Sequence, residues 1–294
     1  PRRPLALLLH RCRPAVAERK GYRDAMTRVG VFGAAGRMGA TVCAAVLDAA
    51  DLELVAAVDP AATGRRLDEV VAGGATTGIE IAASPEAISE AGADVAVDFT
   101  VAAAARSNLR WCAEHGVHAV CGTTGLEDRD FEHIRAWFSG GVHAVVTANF
   151  SIGAALMMKC AELCAPLVGG AEVIELHHDR KRDAPSGTSL ETIRRMQAAR
   201  DAADAGEWAA DPTEVELLQG ARGGRAEGGV HVHSVRLPGL VAHQEVIFGL
   251  QGETLSIRHD SLDRVSFMPG VLLAVRRVAE LPGLTVGIAE LLDL

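Results

Sequence analysis

Residues 29–39 read VGVFGAAGRMG. An apolar run ends in glycine and passes into a segment with Met38, Val42, Val46 and Leu47 on one side of a helical repeat. The stretch therefore predicts a buried strand, a tight turn and a helix over 37–50. A helix N-terminus carries unpaired amides and a partial positive charge. Where glycines remove the intervening side chains, a pyrophosphate seats against those amides. Gly33, Ala34, Ala35, Gly36, Arg37 and Met38 form the expected cradle, with Ala35 standing where the commoner fingerprint has its second glycine. The next strand, Leu52–Val58, closes at Asp59, 20 residues beyond Gly39, where an acid accepts ribose hydroxyls. Arg65 and Arg66 follow, either to meet a 2′-phosphate or as solvated loop charges. Both NADH and NADPH therefore stay open as the cofactor.

Further along, strand-like runs at 79–82, 94–99, 117–120 and 142–147 alternate with helical patterns at 101–115 and 127–138. Such alternation means a parallel sheet with right-handed crossovers, an α/β fold of the Rossmann-type doubly wound class. Ligands of such sheets bind outside the carboxyl ends of the strands. Three turns end there: Asp98-Phe99-Thr100, Gly122-Thr123-Thr124-Gly125 and Ala148-Asn149-Phe150. Their small residues are read as room for a ribose and nicotinamide. The pattern then changes. A helix over 151–165, a strand over 172–178, a helix over 188–204 and a Gly-rich loop over 205–229 precede strands at 230–237, 241–249 and 253–260. Short turns between strands predict a second, α+β domain with a mixed or antiparallel sheet. A last helix near 264–280 stops at Pro282-Gly283.

With 294 residues, 49% hydrophobic and 23% charged, the chain can bury a large core. A net charge of −9 and 4% aromatic residues argue against nucleic acid as partner. No apolar run approaches the ~20 residues of a membrane span. The first 28 residues are a basic exception, with eight Lys/Arg against Glu18 and Asp24, and Leu5–Leu9 is too short for a signal-peptide core. They are read as a non-structural extension, from a misplaced start or an organellar transit peptide. Six cysteines without CxxC or zinc spacing suit buried small hydrophobes in a reducing compartment, and no metal site is expected.

The densest chemistry is ELHHDRKRDAPSGTS, residues 175–189. Clustered positive charge beside His177 and His178 suits an anionic substrate that needs a proton. Pro185-Ser186-Gly187-Thr188 then opens a helix, placing the amides of Gly187 and Thr188 where a carboxylate binds. Adjacent histidines on a strand face opposite ways, which disfavours zinc. His231 and His233 share a strand face and suit core or interface equally.

These stretches, with VDFT (97–100), GTTG (122–125), ANFSIG (148–153), LVAHQEVIFG and ETLSIRHDSLDR (240–264), resemble the dihydrodipicolinate reductase family, and its actinobacterial members in particular. The resemblance runs from Val29 to Leu294. It implies reduction of 4-hydroxy-tetrahydrodipicolinate with NADH or NADPH in diaminopimelate and lysine biosynthesis. Gly33 to Met38 would hold the pyrophosphate and Asp59 the adenosine ribose. Gly122, Thr123, Thr124, Ala148, Asn149 and Phe150 would contact the nicotinamide side. His177 would donate the proton and Lys181 act as a second acid. His178, Gly187 and Thr188 would bind the dicarboxylate substrate. The division so implied is an extension (1–28), a dinucleotide-binding domain (29–150, with 265–294 returning to it) and a substrate-binding and oligomerisation domain (151–264). Hinges near 149–151 and 262–265 and a cytoplasmic homotetramer joined through strands 230–260 complete the expectation. Two rivals stand beside it: another Rossmann dehydrogenase, aspartate- or homoserine-dehydrogenase-like, and a nucleotide-sensing regulator without turnover.

Overall fold

A computed structural model describes residues 26–71 and 77–293. Of the N-terminal extension read from the sequence, residues 1–25 lie outside this range. Thr27 and Arg28, expected to belong to the extension, instead begin β1 (Thr27–Phe32). The Arg28 guanidinium fixes them there, donating to Glu53 at 2.8 Å and to the carbonyls of Ala91 at 2.7 Å and Gly92 at 3.0 Å.

From β1 the chain enters α1 (Arg37–Leu47), β2 (Leu52–Val58), the short α2 (Glu86–Glu90), β3 (Val95–Asp98), α3 (Ala102–Glu114), β4 (His118–Cys121), α4 (Asp128–Trp137) and β5 (Ala144–Val146). It then crosses into α5 (Ile152–Cys164), β6 (Gly170–His177), α6 (Gly187–Ala202), β7 (Gly224–Arg225), β8 (His231–Arg236), β9 (Ala242–Leu250) and β10 (Glu253–Ser261). It returns through α7 (Met268–Arg277) and ends on β11 (Leu284–Val286).

The first sheet has the order β11-β5-β4-β3-β1-β2, and every pair is parallel. Parallel sheets bury both faces, and the runs Val95–Asp98 and Ala144–Val146 are buried throughout. On one face Val29 and Val31 pack with Val42 and Val46 of α1 and with Val271 and Val275 of α7. On the other, Phe32 and Ala96 pack with Leu109 of α3 and Ile134 of α4. The order reverses between β1 and β3, which opens a crevice at the carboxyl ends of those strands. The second sheet, β10-β9-β6-β8-β7, is mixed: β6 runs parallel to β8 and antiparallel to β9. One face packs on α5 and α6 through Val173, Val246, Phe248, Ile193 and Met196.

The strand expected at 79–82 reduces to two isolated bridges, Val58 with Ala82 and Arg66 with Glu80. The expected loop at 205–229 contains β7, and the helix expected over 264–280 is regular only over Met268–Arg277.

At the far edge of the first sheet two histidines serve as acceptors. His118 Nδ1 accepts the His143 amide at 3.0 Å, and His143 Nδ1 accepts the Gly283 amide at 3.0 Å, with the rings 5.3 Å apart. Burial, then the neighbouring His143, pushes the His118 imidazole below its ordinary value. The fold thus selects the neutral ring. The stability it contributes is present above the ordinary histidine range and is lost as pH falls through the depressed folded value. The melting temperature of the wild type should accordingly fall more steeply from pH 7.5 to pH 5 than that of His118→Asn, whose amide oxygen stands where Nδ1 does and can take the same bond. Parallel loss in a thermal-shift series would clear His118 of this role.

Candidate active site

The Gly-rich turn is shaped by close approach. Gly33 has φ +69°, and a Cβ on Gly39 would lie 1.9 Å from the Gly33 carbonyl oxygen, so α1 can pack this tightly on β1 only with glycine there. Gly36 caps α1 without a side chain, which leaves its first amides to a ligand. Arg37 and Met38 form the first turn. Ala34 is buried and donates its amide to Val58. Ala35 donates its amide to Asp59 Oδ2 at 3.1 Å, and Asp59 Oδ1 accepts from Ala61 at 3.1 Å. The acid at the end of β2 is thus tied to the turn at the end of β1. These residues fit a dinucleotide: a bare helix terminus faces the crevice and a carboxylate flanks it. Arg65 and Arg66 lie beyond, paired with Glu69 at 3.3 Å and Asp68 at 2.7 Å.

Met38, Gly122, Thr123, Thr124, Ala148 and Phe150 line one cavity together with Phe99, Thr100 and Phe267. Gly122 serves a purpose other than the open space read from the sequence: a Cβ there would lie 2.1 Å from the Phe99 ring. The turns are braced from below by Asp98, 2% exposed. Its Oδ1 accepts from the Thr100 amide at 2.9 Å, the Thr100 hydroxyl at 2.7 Å and the Thr123 hydroxyl at 2.8 Å, while Oδ2 accepts from Asn108 at 2.7 Å.

A second cavity adjoins across Phe267 and is lined by Asn149, Ser151, His177, Thr188, His243 and His259 among others. Asn149 Oδ1 accepts the Ser151 amide at 2.9 Å, and Ser151 caps α5 while its hydroxyl lies 3.0 Å from His259 Nε2. His177 stands at the end of β6, its Nδ1 against the carboxylate of Glu175. Burial holds the His177 imidazole below its ordinary value, with the Glu175 carboxylate opposing and Lys181 and Arg236 adding to the depression. Thr188 lies in the first turn of α6, whose cap Ser186 accepts the Ser189 amide at 3.2 Å. A buried chain of bonds, Ser189 to Gln244 at 2.8 Å and Gln244 to Thr192 at 2.8 Å, pins this turn to β9. Gly187 opens instead onto a neighbouring cleft that also includes Ala148, Asn149 and Thr188.

His178 and Lys181 do not line the His177 cavity. His178 accepts the Arg180 amide at 3.2 Å, and Lys181 Nζ is held by the Asp183 carboxylate at 2.9 and 2.7 Å. Reading residues one by one passed over the roles of Asp98, Glu175, Arg236, His243 and His259. Of these, Glu175 was within reach, since residues two apart on a strand share a face.

A bare phosphate-binding turn at the switch point of a parallel sheet, with a histidine-lined cavity beside it on a second sheet, defines an oxidoreductase that uses a nicotinamide dinucleotide. Family models described as dihydrodipicolinate reductase, N-terminus and C-terminus, match residues 27–150 and 153–292. The chain is 51% identical over 271 residues to 4-hydroxy-tetrahydrodipicolinate reductase of Cutibacterium acnes, covering 92% of this chain and 100% of that protein. It is 49% identical to the enzyme of that name from Nocardia farcinica, over 91% and 99% of the two chains. Among solved structures, dipicolinate-bound dihydrodipicolinate reductase from Paenisporosarcina sp. TG-14 superposes with a TM-score of 0.78 at 36% identity, covering 90% of this chain and 99% of that one. The chain belongs to the dihydrodipicolinate reductase family.

Asp98→Ala should leave buried donors without an acceptor and lower stability by roughly 2–3 kcal/mol. By shifting both turns it should also reduce kcat/KM for the dinucleotide about 10–100-fold. Chemical denaturation and steady-state kinetics check the two effects, and unchanged kinetics would remove Asp98 from the site's support.

Proposed function

We propose that the protein reduces 4-hydroxy-tetrahydrodipicolinate to tetrahydrodipicolinate with NADH or NADPH, in the diaminopimelate route to lysine, with His177 as proton donor. One observation carries the reading: His177 and Thr188 share a cavity with Asn149, while the preceding residue, Ala148, faces the dinucleotide turns. Bound nicotinamide supplies a hydride. Loss of the 4-hydroxyl as water gives a double bond conjugated with the ring imine, and that double bond takes up the hydride at one carbon and a proton at its neighbour. His177 lies where that proton is needed, and imidazole is the side chain whose ordinary titration lies nearest neutrality. Burial depresses it in the free protein. A dianionic ligand in the cavity favours the imidazolium and restores the acid.

Gly187 and Thr188, at the N-terminus of α6, take one substrate carboxylate through their amides. Lys181 and His178 add charge and a polar contact at the mouth. The Lys181–Asp183 pair has an exposed carboxylate, 63% accessible, so exchanging Asp183 for a substrate carboxylate costs little. The turn at Gly33 to Met38 holds the pyrophosphate, Asp59 the adenosine ribose, and Gly122 to Thr124 with Ala148 to Phe150 the nicotinamide end. In this scheme residues 29–150 and 265–294 carry the dinucleotide and 151–264 carry the substrate. Closure about 149–151 and 262–265 brings the two together and excludes water.

The working form is a cytosolic homotetramer joined through the second sheet. Exposed Leu217 and Leu218 on the arm before β7, and Leu255 on β10, support a self-association surface. No described helix is long and apolar enough to cross a membrane.

His177→Ala should lower kcat about 10²–10⁴-fold and leave dinucleotide binding intact. Lys181→Ala should lower kcat and raise KM for the dicarboxylate, with KM for NADH unchanged. A coupled assay on fresh synthase product measures both, and an unchanged kcat in His177→Ala would remove that residue from the chemistry.

A further inference from the structure

Glu175 is completely buried, yet its carboxylate bonds a histidine that lines the cavity. It lies two residues before His177 on β6, so both side chains leave the same face of the strand. Arg236, opposite His177 on the parallel neighbour β8, reaches diagonally to Glu175 and donates two bonds, at 2.9 Å to Oε2 and 2.7 Å to Oε1. A third bond from Arg236, 2.7 Å to the Asp183 carbonyl, joins this pair to the basic loop. The remaining reach of the carboxylate goes to His177 Nδ1.

We infer that Glu175, clamped by Arg236, is a positioning residue for the proton donor: it holds His177 in the Nδ1–H form, aims Nε2 into the substrate cavity and supplies the negative charge that keeps the imidazolium available. This inference rests on the reductase reading above. In the transfer, the Nε2–H bond breaks and its proton goes to substrate carbon. The neutral ring left behind already carries its remaining proton on Nδ1, bonded to Glu175, so no rearrangement of the ring accompanies the step. Glu175 gives up no proton and Arg236 stays charged.

The groups facing His177 make the carboxylate necessary. Lys181 and Arg236 both repel an imidazolium, His243 on β9 and His259 on β10 line the same cavity as neutral or positive rings, and burial acts in the same direction. Asp183 is occupied by Lys181, and Asp260 by His243 and Arg258. Glu175 is therefore the carboxylate bonded to the ring itself. Burial alone would raise the Glu175 carboxyl. The bonds from Arg236, Ser234 and His177 outweigh it and hold the group below its ordinary value, ionised across the working range.

The test is the pH dependence of kcat in Glu175→Gln, which keeps the shape and removes the charge. The limb on which activity falls as pH rises, set by loss of the donor's proton, should move at least one unit lower, so that kcat at pH 8 drops about tenfold or more. KM for NADH should not change, whereas a merely structural lesion would scale kcat at every pH without moving the limb. An unmoved limb in a folded Glu175→Gln overturns the proposal. Because the variant leaves Arg236 unpaired and could fail to fold, the wild type supplies a second arm. In histidine-¹⁵N NMR of the full chain, with His177→Asn used for assignment, the neutral His177 ring should be protonated at Nδ1, and protonation at Nε2 overturns the inference. Failure of the reductase reading looks different: the wild type itself would oxidise neither NADH nor NADPH on fresh synthase product, whatever the tautomer.

Discussion

A carboxylate with no access to water must be met by donors, and in this protein that requirement organises the substrate side. Glu175 is met by both terminal nitrogens of Arg236 and by the ring of His177. Satisfying it fixes the ring, locks β6 to β8 and, through the Arg236 bond to the Asp183 carbonyl, anchors the basic loop that leads into α6. From there the Ser186–Ser189–Gln244–Thr192 chain sets the helix terminus against β9. His177, the first turn of α6 and the second sheet are one hydrogen-bonded unit.

The dinucleotide side obeys the same rule through Asp98, whose four bonds hold the Thr100 and Thr123 turns in one plane of the crevice. The two halves meet where the chain crosses over. Ala148 faces the first cavity, Asn149 the second, and Ser151 caps α5 while touching His259 at the end of the second sheet. Gly153 belongs to this joint, since a Cβ there would lie 2.6 Å from the His259 ring. The joint is built from short polar contacts and a helix cap, and Phe267 is shared by both cavities.

Much of this was legible in the residues. The strand–glycine–helix signal at 29–39 and the alternation that follows fix the doubly wound sheet, and the Pro-Ser-Gly-Thr turn announces the start of α6. What escaped depended on register or on length. Arg236 lies 61 residues from Glu175, and only the β6–β8 pairing brings them together. β11 has three residues and α2 five, too few to show a period, and each is held by tertiary packing. Gly122 looked like space for a ligand, but its Cβ position is filled by Phe99, whose ring direction no local pattern reveals. Lys181 was placed beside His177 from the charge cluster and from the family resemblance. A carboxylate two residues on, Asp183, pairs with it instead.

The central claim is that a dicarboxylate in the His177 cavity lies next to the nicotinamide held by the first sheet. The most direct measurement is a crystal structure of the complex with NADH and dipicolinate, a planar dicarboxylate that cannot be reduced in the same way. The nicotinamide should lie among Phe99, Thr100 and Gly122 with its C4 about 3–3.5 Å from the pyridine ring, one carboxylate on the amides of Gly187 and Thr188, and His177 Nε2 toward the ring edge. A dipicolinate bound away from His177, or a nicotinamide turned out of the crevice with the ring of His177 facing solvent, would contradict it.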